Sequence, residues 1–253
     1  MFGSRPVALI TGASAGLGVD FARQLSAQGR RLVLVARRAD RLRALADELG
    51  NARAVALDLA QPGATARLLA DVAKAGDQVE LLVNNAGFGL GGRFAELDAA
   101  RQREMIDLNI GTLTDLCRGF APQMIERKSG AILNVASTAA FQPGPGMAVY
   151  FATKAYVLSF TEALHEELKP FGIKVSALCP GPTRTEFGKV AGFTGDKFDR
   201  LSMDSAKVVE IGLRGLERNK AVVIAGATNK IGAYSTRFAP RSVVRKIAGA
   251  LKF

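Results

Sequence analysis

Val7-Ala8-Leu9-Ile10-Thr11-Gly12-Ala13-Ser14-Ala15-Gly16-Leu17-Gly18 sets an apolar run directly against a loop with three glycines. Four consecutive apolar residues read as a short strand covered on both faces, as in a parallel sheet. Residues 19–28 follow with Phe21, Ala22 and Leu25 at helical spacing, so strand, loop and helix come in that order. Glycines before a helix N-terminus let a pyrophosphate approach backbone amides at the positive end of the helix dipole. Gly12, Ser14, Ala15, Gly16, Leu17 and Gly18 are therefore candidate phosphate contacts. An ordinary β-to-α turn is the alternative, and the next segments bear on the choice.

Residues 31–36 read as a second strand that ends at Arg37 and Arg38. An acid at this strand end would accept hydrogen bonds from a ribose 2′-hydroxyl, whereas an arginine suits a 2′-phosphate. The residues thus predict NADP(H) over NAD(H); the alternative is that both arginines only begin the solvated face of a helix over 40–49. Residues 53–57 make a third strand ending at Asp58, 64–75 a third helix, and 80–83 a fourth strand running into Asn84-Asn85-Ala86-Gly87. Repeated β/α units with short links imply a parallel, doubly wound sheet with right-handed crossovers. Ligands in such sheets bind beyond the carboxyl ends of the strands, where Gly12, Arg37, Asp58 and Asn85 all fall.

Residues 98–125 read as one long helix interrupted near Asn109-Ile110-Gly111, because Asn and Gly cost helix propensity. A kink against the sheet and a functional break fit equally at this point. A strand over 131–136, a helix over 147–169, a strand over 174–178, a helix over 204–217 and a strand over 221–225 bring the sheet to about seven strands. Pro180-Gly181-Pro182-Thr183-Arg184-Thr185 opens an irregular segment at 184–203, whose phenylalanines on a glycine-rich tether suit a lid over a pocket, or a plain linker. No linker divides the chain, so residues 1–253 are read as a single α/β domain.

Ser137 closes the fifth strand, and a Pro/Gly loop then leads to Tyr150 and Lys154. A helix beginning near Met147 stacks the phenol and the ammonium one turn apart on one face. A neighbouring cation favours phenolate, so the pair predicts a lowered Tyr150 pKa and a group able to move protons. Tyr156 and Tyr234 carry Phe160 and Phe238 at the same offset, as packing requires. His165 lies eleven residues beyond Lys154, about 16 Å along a helix, too far to act as a base for Tyr150.

The chain's 253 residues suit one α/β domain, and its net charge of +11 raises nucleic-acid binding. After Glu217 there is no acidic residue and there are eight cations, so most of the excess belongs to the C-terminus. Aromatics interleaved with that charge are lacking, and nucleic acid is not expected as a partner. Over 240–253, Val243, Val244, Ile247 and Leu251 share a helical face with Arg241, Arg245 and Lys252 elsewhere. Such a basic amphipathic tail docks on its own domain or a neighbouring subunit, the favoured reading, or makes peripheral contact with a membrane. No apolar run reaches the roughly 18 residues of a transmembrane segment, and the short apolar start does not fit a secretory signal, so a cytoplasmic protein is expected. Cys117 and Cys179 with a single His do not make a metal centre, and no metal is expected.

With these positions in hand, the chain resembles the short-chain dehydrogenase/reductase family over essentially its full length. ThrGlyAlaSerAlaGlyLeuGly at 11–18 looks like its cofactor loop, AsnAsnAlaGly at 84–87 its sheet-stabilising motif, Ser137 with TyrPheAlaThrLys at 150–154 its catalytic signature, and ProGlyProThr at 180–183 its nicotinamide-side loop. The resemblance implies a Rossmann-type doubly wound sheet with helices on both faces, and a homodimer or homotetramer. It implies a proton relay at Asn109, adenine contacts at Asp58 and Leu59, and cofactor contacts at Asn85, Ala86, Gly87, Pro180, Gly181, Thr183 and Thr185. Tyr150 would donate a proton, Ser137 would hold the carbonyl oxygen, and Lys154 would hold the ribose and favour phenolate. The expected activity is NADPH-dependent reduction of a ketone, aldehyde or 3-oxoacyl compound, or the reverse oxidation. Phe88, Gly89, Leu90, Gln142, Met147, Phe187, Phe193 and Phe198 suggest an apolar substrate pocket. A regulatory sensor that binds NADPH without turnover is the alternative, which the Ser, Tyr and Lys set disfavours.

Overall fold

The computed structural model describes residues 5–192 and 202–250. Its strands are β1 Arg5–Thr11, β2 Arg31–Ala36, β3 Ala52–Ala56, β4 Asp77–Asn84, β5 Gly130–Val135, β6 Ile173–Cys179 and β7 Val222–Ile224. Its α-helices are α1 Leu17–Ala27, α2 Ala39–Leu49, α3 Ala64–Lys74, α4 Ala99–Ile106, α5 Leu113–Glu126, α6 Ala148–Leu168, α7 Phe187–Ala191, α8 Ser205–Glu217, α9 Ala227–Ser235 and α10 Arg241–Ala250. The strands form one sheet in the order β3-β2-β1-β4-β5-β6-β7, with every pairing parallel. The chain winds outward from β1 to β3, then returns to begin β4 on β1's other side. The crevice at such a reversal, outside the carboxyl ends of the strands, is where open α/β sheets bind ligands.

Successive strand residues point to opposite faces, and both faces are covered. Val7 and Leu9 of β1 join Val33 and Val35 of β2 in one core, while Ala8 and Ile10 join Leu32 and Leu34 in the other. Helices α3, α5 and α6 close the first core through Leu68, Phe120 and Val157. Helices α1, α2 and α8 close the second through Phe21, Leu42 and Leu213. The doubly wound sheet expected from the alternation is thus the observed one.

The interruption expected near Asn109 is found, and two segments hold helices that the pattern did not show. The helix over 98–125 is α4 and α5 joined by a π-turn at Asp107–Thr112. Asn109 and Gly111 sit inside that turn, where an extra residue is looped into the helix and their weak propensity matters less. Of the segment at 184–203, residues 193–201 lie outside the described residues; the rest holds the short helix α7, and Met203 bridges to Thr183. Helix α9 escaped the pattern because AlaThrAsnLysIleGlyAlaTyrSer mixes weak helix formers. It packs through Tyr234, edge-on to Phe141 with ring centroids 6.5 Å apart, and Phe238 is left exposed. Tyr156 does stack on Phe160, at 5.6 Å.

The tail docks on its own domain, but by a different stripe from the expected one. Val244 and Ala248 of α10 are buried, whereas Val243 and Ile247 are exposed; Leu251 lies outside the described residues. Gly249 faces Pro145, 3.5 Å from where a Cβ would stand. Among the described residues no helix is long and apolar enough to cross a membrane.

The junction of β1 and α1 depends on one missing side chain. A Cβ on Gly18 would stand 2.2 Å from the Gly12 carbonyl oxygen and 2.9 Å from Ala13 Cα, both unyielding backbone. Gly18→Ala is expected to destabilise the fold by about 1–3 kcal/mol, a fall in Tm of roughly 2–12 °C for a chain of this size. Gly111→Ala, whose Cβ would meet nothing within 4 Å, should leave Tm unchanged or slightly raised. Thermal unfolding of the two variants checks this, and equal Tm values would contradict the role given to Gly18.

Candidate active site

The loop after β1 turns through left-handed backbone at Gly12 (φ 67°) and Gly16 (φ 51°), which glycine adopts without a Cβ clash. A Cβ on Gly12 would stand 2.9 Å from Ala86 Cα, and one on Gly16 would stand 3.0 Å from the Thr185 side chain. The loop is therefore pressed between the ends of β4 and β6. Thr11 ties it to β4: its hydroxyl oxygen accepts the Asn85 and Ala86 N–H groups, each at 3.0 Å, while Asn85 Nδ2 donates to the Thr11 carbonyl at 2.9 Å. Asn84 points the other way, into the core, and donates to Asn134 Oδ1 at 2.9 Å.

One cavity of about 1250 Å³ runs along these strand ends. Gly12, Ser14, Ala15, Gly16, Leu17, Arg37, Arg38, Asp58, Leu59, Asn85, Ala86, Gly87, Pro180, Gly181, Thr183 and Thr185 all line it. Gly18 does not; it packs beneath the loop instead. Arg38 donates from Nε to Ser14 Oγ and from Nη2 to the Ser14 carbonyl, both at 3.2 Å. Arg37 turns toward α4, 3.5 Å from Glu104, and is largely exposed. Asp58 accepts the Ala60 N–H at 3.1 Å, and the Leu59 carbonyl accepts the Thr112 hydroxyl at 2.7 Å. Thr183 donates to the Gly181 carbonyl at 2.9 Å, and Thr185 Oγ1 accepts the Phe187 N–H at 3.2 Å. The glycine cradle at a helix N-terminus, with an arginine fixed to its serine, fits the pyrophosphate and 2′-phosphate of NADP(H).

Ser137, Tyr150 and Lys154 line the same cavity. Ser137 follows β5; its Oγ accepts the Ala139 N–H at 3.1 Å and lies 3.5 Å from the Pro180 carbonyl, to which it donates. Helix α6 starts at Ala148, which puts Tyr150 and Lys154 on one face. Lys154 Nζ donates to the Val135 carbonyl at 2.8 Å and stands 5.8 Å from the Tyr150 ring centroid. Tyr150 is packed among Phe88, Met147 and Phe151, with the Phe187 ring centroid 5.3 Å from its own.

The expected lowering of the phenol is not found in the chain by itself. Burial pushes Tyr150 up to about 12, with the Ser137 side chain offsetting part of the rise. Burial also pulls Lys154 down to about 8, against a weaker opposing pull from Cys179. Desolvation outweighs mutual support because both groups are enclosed and the ammonium is turned to Val135 rather than to the phenol.

Asn109 is buried behind the cavity wall. Its Nδ2 donates to the Phe88 carbonyl at 3.0 Å and to Thr153 Oγ1 at 3.1 Å, and its Oδ1 accepts the Phe88 N–H at 3.2 Å. The side chain is thus occupied in fixing Phe88 and α6. Of the expected pocket residues, Phe88, Gln142, Met147 and Phe187 line the cavity. Leu90 lines a small separate space with Leu97 and Met105. Gly89 supplies room: a Cβ there would stand 2.9 Å from the Phe187 ring and 3.2 Å from Tyr150. Phe193 and Phe198 lie outside the described residues. His165 is buried away from the site, its Nδ1 2.7 Å from the Val175 carbonyl. Sequence reading passed over Thr138, Phe151, Glu186 and Ala250, which also line the cavity. Phe151 was legible, being the residue after Tyr150; Glu186 and Ala250 lie in the segment at 184–203 and in the tail, both singled out by the sequence, but nothing local marks these two residues as cavity lining.

The family model described as short chain dehydrogenase matches residues 6–192. An NADP-dependent 3-hydroxy acid dehydrogenase of Escherichia coli is 38% identical over 193 residues, covering 75% of this chain and 77% of that protein. A short-chain dehydrogenase from Sphingobium yanoikuyae, solved in complex with NADPH, superposes with a TM-score of 0.84 at 34% identity, covering 95% of each chain. The bulky-bulky ketone specific alcohol dehydrogenase from Comamonas testosteroni superposes at 0.79 with 31% identity over 93% of each chain. The sheet order, the glycine cradle and these matches agree: the chain belongs to the short-chain dehydrogenases, NADP-dependent oxidoreductases that act on hydroxyl and carbonyl groups.

Proposed function

We propose that this protein reduces a bulky, hydrophobic ketone, aldehyde or 3-oxoacyl compound with NADPH, or oxidises the matching alcohol, as a homodimer or homotetramer. The observation that carries the reading is a buried phenol, Tyr150, enclosed by Phe88, Met147, Phe151 and Phe187 at a cavity that Ser137 and Lys154 share. When bound, NADPH supplies the hydride. The chain's part is to hold the carbonyl and deliver the proton.

A carbonyl oxygen gaining negative charge is stabilised best by groups already in place. Ser137 Oγ is held by the Ala139 N–H, and its hydroxyl proton turns from the long 3.5 Å bond to the Pro180 carbonyl toward that oxygen when substrate is bound. Tyr150, raised to about 12 by burial, carries its proton throughout the neutral range and donates it as the charge develops. The phenolate left behind is then stabilised by the Lys154 ammonium on the same helical face. Asn109 keeps Phe88 and Thr153 in register; with its amide occupied, any water it holds for Lys154 rests on its main-chain carbonyl. A carboxylate substrate would want a cation near Tyr150, yet the described cations lining the cavity are Arg37, Arg38 and Lys154. The first two belong to the adenosine end and the third serves Tyr150. The apolar surroundings of Tyr150 suit a bulky ketone, as with the Comamonas enzyme that is specific for bulky-bulky ketones.

Tyr150→Phe removes only the acid. It should lower kcat for NADPH-dependent carbonyl reduction by about 10²–10⁴-fold and leave the NADP+ Kd within about threefold; turnover surviving within tenfold would contradict the assignment, and wild-type binding without turnover across a broad carbonyl panel would favour a sensor.

The pH dependence has a definite sign. With the Lys154 ammonium lowered to about 8, its charge is present below that pH and lost above it. In reduction, kcat/KM should therefore fall as pH rises through about 8, and Lys154→Met should lower the rate at pH 7 and remove that limb. A profile flat from pH 7 to 9.5 for the wild type would speak against Lys154 as the supporting cation.

A further inference from the structure

Arg38, which lines the cavity, and Arg41, three residues on in α2, are already holding an anion, and it is the protein's own. Glu186, between Thr185 and the first residue of α7, accepts from Arg38 Nη1 through Oε2 at 2.9 Å and from Arg41 Nη1 through Oε1 at 2.7 Å. Nε and Nη2 of Arg38 each donate to Ser14, at its hydroxyl and its carbonyl, so that guanidinium is fixed in place by the glycine loop. The carboxylate is held well below the ordinary glutamate range, first by Arg41 and then by Arg38, and so is charged at neutral pH. Arg37, by contrast, faces Glu104 of α4 at 3.5 Å.

At this strand end an arginine meets the 2′-phosphate that distinguishes NADP(H) from NAD(H). A carboxylate bridging the same guanidiniums uses the donors a phosphate needs, and it would stand as a like charge beside the bound dianion. NAD(H) brings no such charge; for it, a carboxylate in this position is an acceptor that a ribose 2′-hydroxyl can use. We infer that Glu186 is an internal competitor of the cofactor's 2′-phosphate for Arg38 and Arg41, weakening NADP(H) binding while sparing NAD(H). Glu186 is thereby a specificity-determining residue that narrows the preference for NADP(H), from the nicotinamide-side loop rather than from β2. The effect is moderate, since all three side chains are about half exposed and exposed pairs are screened by water and salt.

The inference rests on Arg38 as a 2′-phosphate ligand, and one set of titrations separates the two claims. Calorimetry on the full chain would measure NADP+, NAD+ and adenosine 2′-monophosphate binding to wild type, Glu186→Gln and Arg38→Ala. Glu186→Gln is expected to bind NADP+ and adenosine 2′-monophosphate about three- to tenfold more tightly, with NAD+ within about twofold. Arg38→Ala is expected to lose most of the preference for NADP+ over NAD+. If Arg38→Ala behaves so but Glu186→Gln binds NADP+ no better than wild type, Glu186 merely braces the arginines and the competition is overturned. If Arg38→Ala keeps its NADP+ preference, the phosphate site is not at Arg38, and the inference falls together with the reading beneath it.

Discussion

Thr11 holds the site together. Its hydroxyl accepts two backbone N–H groups, from Asn85 and Ala86, and its carbonyl accepts the Asn85 amide. These bonds join the ends of β1 and β4, neighbours in the sheet but more than seventy residues apart in sequence. Because the two strands end at one level, the glycine loop after the first and the Asn85–Gly87 turn after the second open into one crevice. Gly12 tolerates that approach only because it has no Cβ to press on Ala86. A larger residue there would separate the two strand ends, and with them the phosphate cradle from the wall carrying Phe88 and Asn109.

Beyond that crevice, burial rather than pairing sets the resting chemistry. Tyr150 and Lys154 lie one turn apart, and a Tyr beside a Lys in water would be drawn toward phenolate. Enclosure among Phe88, Met147, Phe151 and Phe187 reverses this: each group is pushed toward its neutral form. A neutral phenol is the form a proton donor requires, and a cation with a reduced hold on its proton can support the phenolate without locking it in advance. The apolar wall around Tyr150 and the low dielectric that keeps its phenol neutral come from the same residues.

The parts of this architecture set by local pattern were readable before the fold. Val7–Ile10 against three glycines, the strand ends at Arg38 and Asp58, and the spacing of Tyr150 and Lys154 needed only strand burial, helix geometry and turn chemistry. The resemblance to a family then placed Asn109 and the residues after β6. What stayed hidden depended on distant segments meeting. Gly18 looked like a phosphate contact but serves packing against Gly12. The tail's apolar residues fit two adjacent helical stripes, and only the surface on which α10 docks decides that Val244 and Ala248 turn inward. Arg41 sits on the exposed face of α2 as any solvated cation does, and nothing near it in sequence points to Glu186.

Glu186 also explains why the loop after β6 must be read residue by residue. Thr185 abuts Gly16 of the phosphate cradle, Glu186 bridges Arg38 and Arg41, and Phe187 packs on the Tyr150 ring. Three successive residues, spanning at most roughly 10 Å of chain, thus touch the glycine loop, the two arginines and the Tyr150 ring. The Thr185 hydroxyl oxygen also holds the Phe187 N–H, so the turn that sets Glu186 against Arg38 and Arg41 is the same turn that carries Phe187 onto the Tyr150 ring.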